Sequence, residues 1–356
     1  MRKRIFALIL LPVSLILTLL AKYSAGFAEF YALNIYPVLA GAVSFFTSKV
    51  RFSLAEFIVA ALIAALTAYF ISVLIKAVLK KDMKSIKDFI LNIAVTASII
   101  YFLFVLSCGI NYYRNEFTYY SGLEIKESST DELIRLCEIL IADANETRAL
   151  LNTGSKGTAE LLEEDYYKTA ARAKNSFDGI SERYSVLKGS YPAPKPVLFS
   201  DVMSHMGISG VFFPFSFEAN VNAHVPPYQL PAVMLHELVH LRGFMREDEA
   251  NFISYLACIN SGYHDFEYSG TMLALIYSMN ALYGENYDEF ARLYGTYSED
   301  VKNDLKYSSD YWKQFEGKTA EISNKVNDAY LKFNNQEDGI KSYGRMVDLL
   351  LAYYSE

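Results

Sequence analysis

The sequence predicts a mainly α-helical protein, with transmembrane helices near its N-terminus and then a helical domain that contains a few short strands. Apolar runs within the first hundred residues approach the length of about 20 residues that a helix needs to cross a bilayer. Charged residues become frequent from about Gly109. Beyond Asn251, apolar residues recur at helical spacing almost to the end. These observations predict a membrane region over residues 1–108 and a separate domain over residues 109–356.

The composition narrows the classes of protein that the chain can belong to. A chain of 356 residues with 52% hydrophobic residues is long enough for a membrane region and one sizeable domain. The net charge of −7 and the absence of a basic stripe predict no nucleic-acid partner. Three cysteines are too few for a disulfide framework, and the sequence has no Walker loop.

The N-terminal region is predicted to cross the membrane about three times. The three predicted spans are Ile5–Leu20, Leu54–Ile75 and Phe89–Leu106. The intervening segment Phe27–Thr47 is less apolar and contains Glu29, Asn34 and Pro37, which favours an interfacial or re-entrant segment over a further span. The first run is interpreted as a retained anchor, because no clear cleavage site for a signal peptidase follows it.

Two basic clusters predict the orientation of the chain in the membrane. They comprise Arg2, Lys3 and Arg4 before the first span, and Lys76, Lys80, Lys81, Lys84 and Lys87 between the second and third spans. Basic residues are retained on the cytoplasmic side. With three spans, both clusters lie in the cytoplasm and the C-terminal domain lies outside the cell. The lipid bilayer is therefore an expected partner.

The C-terminal domain is predicted to consist of helices with a few short strands. Ser129 and Glu132 have the spacing of a capping box at the start of a helix. A long helix is predicted over Ala159–Leu187, and short strands over Val197–Phe199 and Val211–Phe213. Later helices are predicted at about Phe252–Ser261, Ser269–Tyr283, Tyr287–Tyr294, Tyr311–Asn334 and Ile340–Tyr354.

The segment His236-Glu237-Leu238-Val239-His240 has the HExxH form of a zinc-hydrolase helix. Histidines four residues apart lie on one face of an α-helix, so their ring nitrogens can converge on one Zn²⁺ at about 2.0–2.1 Å. Glu237 lies about 100° around the helix from His236 and can reach a water molecule instead of the metal. These positions predict His236 and His240 as zinc ligands and Glu237 as the general base.

The third zinc ligand is left open between two acids. Gly243 follows His240 by three residues, and the position three residues later is Arg246, a cation that cannot coordinate zinc. Glu247 and Asn251 have a spacing that resembles the ExxxD pattern of gluzincins, and this resemblance implies that the acid binds zinc while Asn251 orients a histidine ligand. Glu249, which precedes Ala250, is the alternative ligand. His224 and His264 are more distant candidates.

The segment before the HExxH helix is a candidate substrate-binding region. Val211–Phe217 could form an edge strand that binds an extended peptide by β-augmentation, or a core strand that only supports the helix. Phe213, Phe215 and Asn220 are the predicted substrate-binding residues.

The chain resembles an uncharacterised family of bacterial membrane proteins, the domain of unknown function 3810. The blocks that carry this resemblance are HELVHLRGFMREDEANFISYLAC, CGINYYR, GISGVFFPFSFEANVN, YSGTMLALIY, NDAYLK and DGIKSYGRMVDLLLAYY. They extend over nearly the whole chain, with one departure where Cys108 stands in place of a tryptophan. The family is similar to gluzincin-type zinc metallopeptidases, which implies a helical zincin-like domain around the HExxH helix but no particular substrate.

The expected function is hydrolysis of peptide bonds by a membrane-anchored zinc metallopeptidase at the outer face of the cell membrane. Its expected cofactor is Zn²⁺, and its expected substrate is a peptide or protein at the cell surface. Two alternatives remain: a catalytically silent envelope protein that binds partners or acts as a scaffold, and a zinc amidase that acts on cell-wall bonds. Retention of Glu237 argues against the silent protein, because a structural zinc site does not need that carboxylate.

Overall fold

The computed structural model describes residues 2–334, 336 and 345–355, and the chain divides into two compact units. The apolar unit comprises Met1–Asn115 together with Phe213–Glu218. The helical unit comprises Glu116–Phe212 together with Ala219–Glu356. The first boundary thus follows Asn115, a few residues beyond the predicted boundary after residue 108. The later segment Phe213–Glu218 also belongs with the N-terminal helices.

The apolar unit is built from helices with little charge. Its α-helices are α1 Arg2–Leu8, α2 Leu10–Tyr23, α3 Ala25–Phe30, α4 Tyr36–Thr47, α5 Leu54–Leu79 and α6 Met83–Ser107. A π-helical turn at Tyr31–Ile35 joins α3 to α4, and a 3₁₀ helix at Gly109–Tyr113 follows α6. Among the described residues, four helical segments are long and apolar enough to cross a membrane: Phe6–Tyr23, Ala25–Thr47, Leu54–Leu79 and Met83–Ser107. This property indicates a membrane protein, and the number of passes remains a prediction.

Contacts within the apolar unit indicate which helix ends lie together. The Tyr69 hydroxyl accepts a hydrogen bond of 2.7 Å from the Asn92 amide, so α5 and α6 are antiparallel neighbours joined by the short connection that carries the lysines. Arg4 pairs with Asp88 at 3.1 Å, and the Tyr31 hydroxyl donates to the Leu106 carbonyl at 2.6 Å. The chain from α1 to α3 therefore runs alongside α6 in the same direction, and Arg4 lies at the lysine end.

Both ends of the segment Ala25–Thr47 lie at the opposite end of the apolar unit. Near its start, the Glu29 carboxylate accepts a hydrogen bond of 2.9 Å from the backbone N–H of Asn115, beyond the end of α6. At its end, the Thr47 hydroxyl donates to the Ser216 carbonyl at 3.2 Å. The Glu218 carboxylate accepts hydrogen bonds from the Ser216 hydroxyl and from the backbone N–H of Ala55 at the start of α5.

The first helices of the helical unit include the predicted capping box but not the predicted long helix that follows it. Its first α-helices are α7 Phe117–Ser121, α8 Thr130–Ala149, α9 Tyr166–Asn175, α10 Asp178–Ser181 and α11 Ser200–His205. Ser129 and Glu132 form the reciprocal hydrogen bonds of the capping box at α8. The predicted long helix Ala159–Leu187 is wrong: the Asp165 side chain caps α9, and α9, α10 and a 3₁₀ helix at Ser185–Leu187 are separate. An Asp side chain that bonds to two backbone N–H groups fixes a helix start there.

A small sheet precedes the central helices of this unit. Its strands are β1 Lys195–Pro196, β2 Gly210–Phe213 and β3 Glu218–Val221, in the order β1-β3-β2. β1 pairs with β3 in parallel. The prediction of β2 is confirmed, but the predicted strand Val197–Phe199 is wrong, because pairing ends at Pro196 and a helix starts at Ser200. β3 was not predicted, since all four of its residues are buried and it lacks the alternation of a half-buried strand.

The remaining helices form the core around the HExxH segment. They are α12 Leu230–Leu241, which follows a 3₁₀ helix at Pro227–Gln229, α13 Glu247–Ile259, α14 His264–Glu285, α15 Tyr287–Tyr294, α16 Glu299–Lys313, α17 Lys318–Phe333 and α18 Met346–Tyr354. α14 packs against α8, α12 and α13. The predicted helix Tyr311–Asn334 is wrong at its start, because a turn that ends at Gly317 separates α16 from α17. The predicted start of the last helix at Ile340 lies outside the described residues.

Candidate metal centre

The HExxH segment lies on α12 and is followed by a sharp turn into α13. Pro231 occupies the first turn of α12, where a missing N–H has no cost. Gly243 has φ +89°, a left-handed conformation that a side chain would strain. Its N–H donates to the His240 carbonyl at 2.9 Å, which ends the helix. α13 then starts at Glu247, so this acid lies one tight turn from the two histidines.

Three side chains direct their ligand atoms towards one another at this turn. The Nε2 atom of His236 lies 3.2 Å from one carboxylate oxygen of Glu247, and the Nε2 atom of His240 lies 3.7 Å from the other. All three ligand atoms lie within 4.8 Å of one another. A tetrahedral zinc ion with bonds of about 2.0–2.1 Å would separate its ligands by about 3.3 Å. The spacing and the chemical types of these donors fit a zinc ion.

Each histidine is oriented through its other ring nitrogen. The Nδ1 atom of His236 lies 2.8 Å from the side-chain oxygen of Asn251, and that of His240 lies 2.8 Å from the Phe244 carbonyl. Both partners are acceptors, so each Nδ1 donates a hydrogen bond and each Nε2 is directed towards the Glu247 carboxylate. The Asn251 amide in turn donates to the Tyr277 hydroxyl at 3.4 Å. Such supporting bonds are typical of histidines that ligate metals.

Glu237 is buried beside this cluster with one carboxylate oxygen unpaired. Its Oε2 atom has no hydrogen-bond partner among the described residues. Its side chain accepts a hydrogen bond from the backbone N–H of Phe212 in β2. A Cβ atom added at Gly210 would lie 2.5 Å from Oε1, so the glycine leaves the space that the carboxylate occupies. Burial disfavours the charged form and raises the pKa of Glu237 to about 8, although the charge of His236 opposes this shift.

The pKa values of the two histidines are shifted in opposite directions. Burial disfavours the charged form of both. For His236 this effect is outweighed by its hydrogen bond with Glu247 and by that carboxylate's charge, which raise the pKa to about 9. For His240 burial prevails and lowers the pKa to about 4. The negative charge of Glu247 thus stabilises a positive charge beside the two rings. A bound metal ion would supply such a charge.

The two candidate acids have different positions. Glu247 lies against both histidines, whereas the Oε1 atom of Glu249 accepts a hydrogen bond of 2.6 Å from the backbone N–H of Phe117 at the start of α7. Burial raises the pKa of Glu249 to about 7, while Arg246 acts in the opposite direction. The structure therefore brings together His236, His240 and Glu247, and uses Glu249 in packing.

The other residues singled out from the sequence are not among the three converging side chains. Phe213 and Phe215 contact each other with ring centroids 5.3 Å apart in the segment that belongs to the apolar unit. Asn220 is buried in β3, and its amide donates to the Val211 carbonyl at 3.4 Å. His224 and His264 pair with neighbouring acids, Asp201 and Glu267.

Four neighbours of the cluster were not predicted: Gly210, Phe212, Phe244 and Tyr277. Phe212 lies with its ring centroid 6.5 Å from that of His240, and its backbone contacts Glu237. The glycine in the Gly-Val-Phe-Phe run of β2 was the signal that could have indicated a close approach, since glycine in a strand often marks one.

The fold and the site together define a mainly helical protein with membrane-type helices and a buried cluster of two histidines and one glutamate. The chain belongs to the family described as Protein of unknown function (DUF3810), whose model matches residues 31–351. No curated protein and no solved structure matches the chain. The family description assigns no activity, so function is argued from the site.

Proposed function

We propose that the chain is a membrane-anchored zinc metallopeptidase that hydrolyses peptide bonds at the outer face of the cell membrane. The observation that carries this proposal is the unpaired, buried carboxylate oxygen of Glu237 beside three converging ligand atoms. A buried carboxylate oxygen without a partner costs free energy, so its presence at this place indicates a role in binding or chemistry. A purely structural zinc site would not need it.

The residues of the chain divide the work between holding the metal and moving a proton. His236, His240 and Glu247 would hold zinc, with Asn251 and the Phe244 carbonyl keeping the two rings in place. Zinc, when bound, supplies Lewis acidity that brings the pKa of water close to 7. Glu237 would accept the proton of the attacking water and donate it to the leaving amine. Its pKa of about 8 in the metal-free chain is close to the range in which one carboxyl group can both take and give a proton.

The strand that contacts Glu237 supports a peptide as the proposed substrate. β2 lies at an edge of the described sheet, and its Val211 side chain is exposed. An exposed edge strand can pair with an extended peptide through backbone hydrogen bonds. Pairing at β2 would bring a peptide carbonyl near the carboxylate that Phe212 and Gly210 position. This arrangement favours a peptide substrate over the amidase alternative.

The proposed location depends on the lysine-rich connection between α5 and α6. Along the chain, α6 is the one membrane-type helix between this connection and the helical unit. If the connection is cytoplasmic and α6 crosses the membrane once, the helical unit is external, regardless of how many times the earlier segments cross. Arg4 lies at the same end of the apolar unit as this connection, which requires an even number of passes between them. Both ends of Ala25–Thr47 lie at the other end. These contacts support three passes, with Ala25–Thr47 returning to the side from which it starts.

The location is tested by adding protease to intact spheroplasts that carry the full chain with an epitope at its C-terminus. We expect digestion of the helical unit before the membrane is broken, because the unit lies outside. The control is a membrane protein whose epitope-bearing domain lies on the cytoplasmic side, and that domain should survive the protease. Survival of the helical unit until lysis would reverse the orientation and remove the cell-surface substrates.

The activity is tested with Glu237→Gln in the full chain. The amide cannot accept a proton, so we expect wild-type zinc content and loss of hydrolysis by about 10²- to 10⁴-fold. Zinc is measured by elemental analysis of purified protein, and peptides at the cell surface are compared between the variant and its parent. The paired variant His236→Ala with His240→Ala should lose both zinc and hydrolysis. Wild-type zinc content with identical surface peptides in both strains would favour the silent scaffold.

A further inference from the structure

Helix α17 carries an apolar stripe on the side that faces away from the protein. Ile322, Val326 and Phe333 are 62%, 65% and 69% exposed, and Tyr330 beside them is 38% exposed. Residues spaced by three, four or seven lie on one face of a helix. The buried residue Leu331 lies about 180° around the helix from Ile322 and marks the side that contacts the rest of the protein. The stripe therefore faces outwards.

A row of lysines borders this stripe along its whole length. Lys318, Lys325 and Lys332 are exposed and are spaced by seven residues, so they lie on nearly one line along the helix. This line is roughly 60–100° from the middle of the apolar stripe. Lys332 also pairs with Asp328 at 2.7 Å on the far side of the row. An apolar face that contains Ile, Val and Phe with lysines at its border is typical of a helix that lies in a membrane interface.

We propose that α17 binds to the surface of the phospholipid bilayer, with its apolar stripe among the acyl chains and its lysines at the phosphate groups. The lysine row complements the negative headgroups, and long lysine side chains can lie along apolar surface while their ammonium groups stay at the phosphates. A second copy of the chain that pairs antiparallel through the stripe is a poorer occupant, because this arrangement would bring two lysine rows together. The chain also has membrane-type helices, which raise the effective concentration of a bilayer surface near every other segment.

This contact would give the protein a second attachment to the membrane, independent of its metal centre. Because α17 is amphipathic and short, its binding is expected to be reversible and to depend on lipid charge. Loss of the metal site should leave it unchanged.

The test uses the full chain reconstituted in vesicles of phosphatidylcholine with added phosphatidylglycerol. A nitrobenzoxadiazole fluorophore is attached at Val326→Cys, and the matched control carries it at Asn324→Cys. Both positions are exposed on α17, but they point in nearly opposite directions around it. The native cysteines Cys108, Cys137 and Cys258 are buried, so labelling is directed to the introduced one.

We expect blue-shifted emission at position 326 and at least twofold stronger quenching by doxyl-labelled lipid than at position 324. Substitution of the three lysines by glutamine should reduce the quenching at position 326 in vesicles that contain phosphatidylglycerol. Equal and weak quenching at both positions would overturn the proposal. A blue shift at position 326 that lipid does not quench, and that fades as the protein is diluted in lipid, would assign the stripe to a second copy.

Discussion

Two buried clusters of charged side chains in the helical unit differ in how their polar atoms are satisfied. One is the metal-centre cluster, which comprises His236, Glu237, His240 and Glu247. The other is the Arg148 cluster, which comprises Arg148, Tyr268 and Asp304. Both place charged groups away from water, where an unpaired charge is costly. In both clusters the buried charges need polar partners, but the two clusters differ in which groups supply them.

The Arg148 cluster is closed. The Asp304 carboxylate accepts hydrogen bonds from Arg148 at 2.7 Å, from the Tyr268 hydroxyl at 2.7 Å and from the backbone N–H of Ala159 at 2.8 Å. The remaining guanidinium nitrogens of Arg148 donate to the Leu151 carbonyl and to the Thr153 hydroxyl. Each nitrogen of the guanidinium and each oxygen of the carboxylate thus has at least one partner among the described residues.

The metal-centre cluster is open. Its two Nε2 atoms both point towards the Glu247 carboxylate, and one oxygen of Glu237 is unpaired among the described residues. The difference teaches that burial of charge alone does not identify a functional site. Ligand atoms that converge beside a buried, unpaired carboxylate oxygen indicate a candidate site, because such an arrangement is costly unless a ligand completes it.

The largest expected effect separates the two acids at the start of α13. We expect Glu247→Ala to weaken zinc binding by more than 100-fold, because it would remove a proposed direct ligand, which is worth more than a supporting hydrogen bond. The matched control Glu249→Ala should retain most of the zinc, since that side chain bonds to Phe117. Zinc titration of both purified variants measures this difference. The reverse pattern would assign the ligand role to Glu249.

The next effect concerns the closed cluster. Asp304→Ala leaves the buried guanidinium of Arg148 without its carboxylate, so we expect the free energy of unfolding to fall by about 3–5 kcal/mol. Denaturant titration of the full chain in detergent measures the change. Zinc affinity of the folded variant should stay within a factor of two of the wild type. A variant that keeps its stability but loses zinc would show that the two clusters are not independent.

The smallest expected effect concerns the hydrogen bond between Asn251 and His236 in the metal-centre cluster. Asn251→Ala removes the acceptor for Nδ1 of His236, and we expect zinc affinity to fall by about 10- to 100-fold. Asn251→Asp restores an acceptor at the same place and should recover affinity. Competition with a chromophoric chelator gives the affinities of the three proteins. Equal affinities in all three would mean that His236 is held without this bond.

Local features of this chain followed from the sequence because short-range backbone geometry determines them. Histidines four residues apart must share a helix face, so the pairing of His236 with His240 needed no tertiary information. The capping box at Ser129 and the helix Tyr287–Tyr294 depend on neighbours within one or two turns. The long apolar runs were equally visible, because membrane-type helices are defined by length and composition.

Only the tertiary structure shows which of Glu247 and Glu249 lies against the two histidines. Both acids lie in the first turn of α13, and the direction of that helix depends on the turn at Gly243 and on its packing against α12 and α14. The contacts of Glu237 come from Gly210 and Phe212, more than twenty residues earlier in the chain. Sequence spacing carries no information about such long-range approach, which the packing of β2 beside α12 determines. The sequence by itself thus determined which side chains can bind a metal, and the packing of distant segments determined which of them meet.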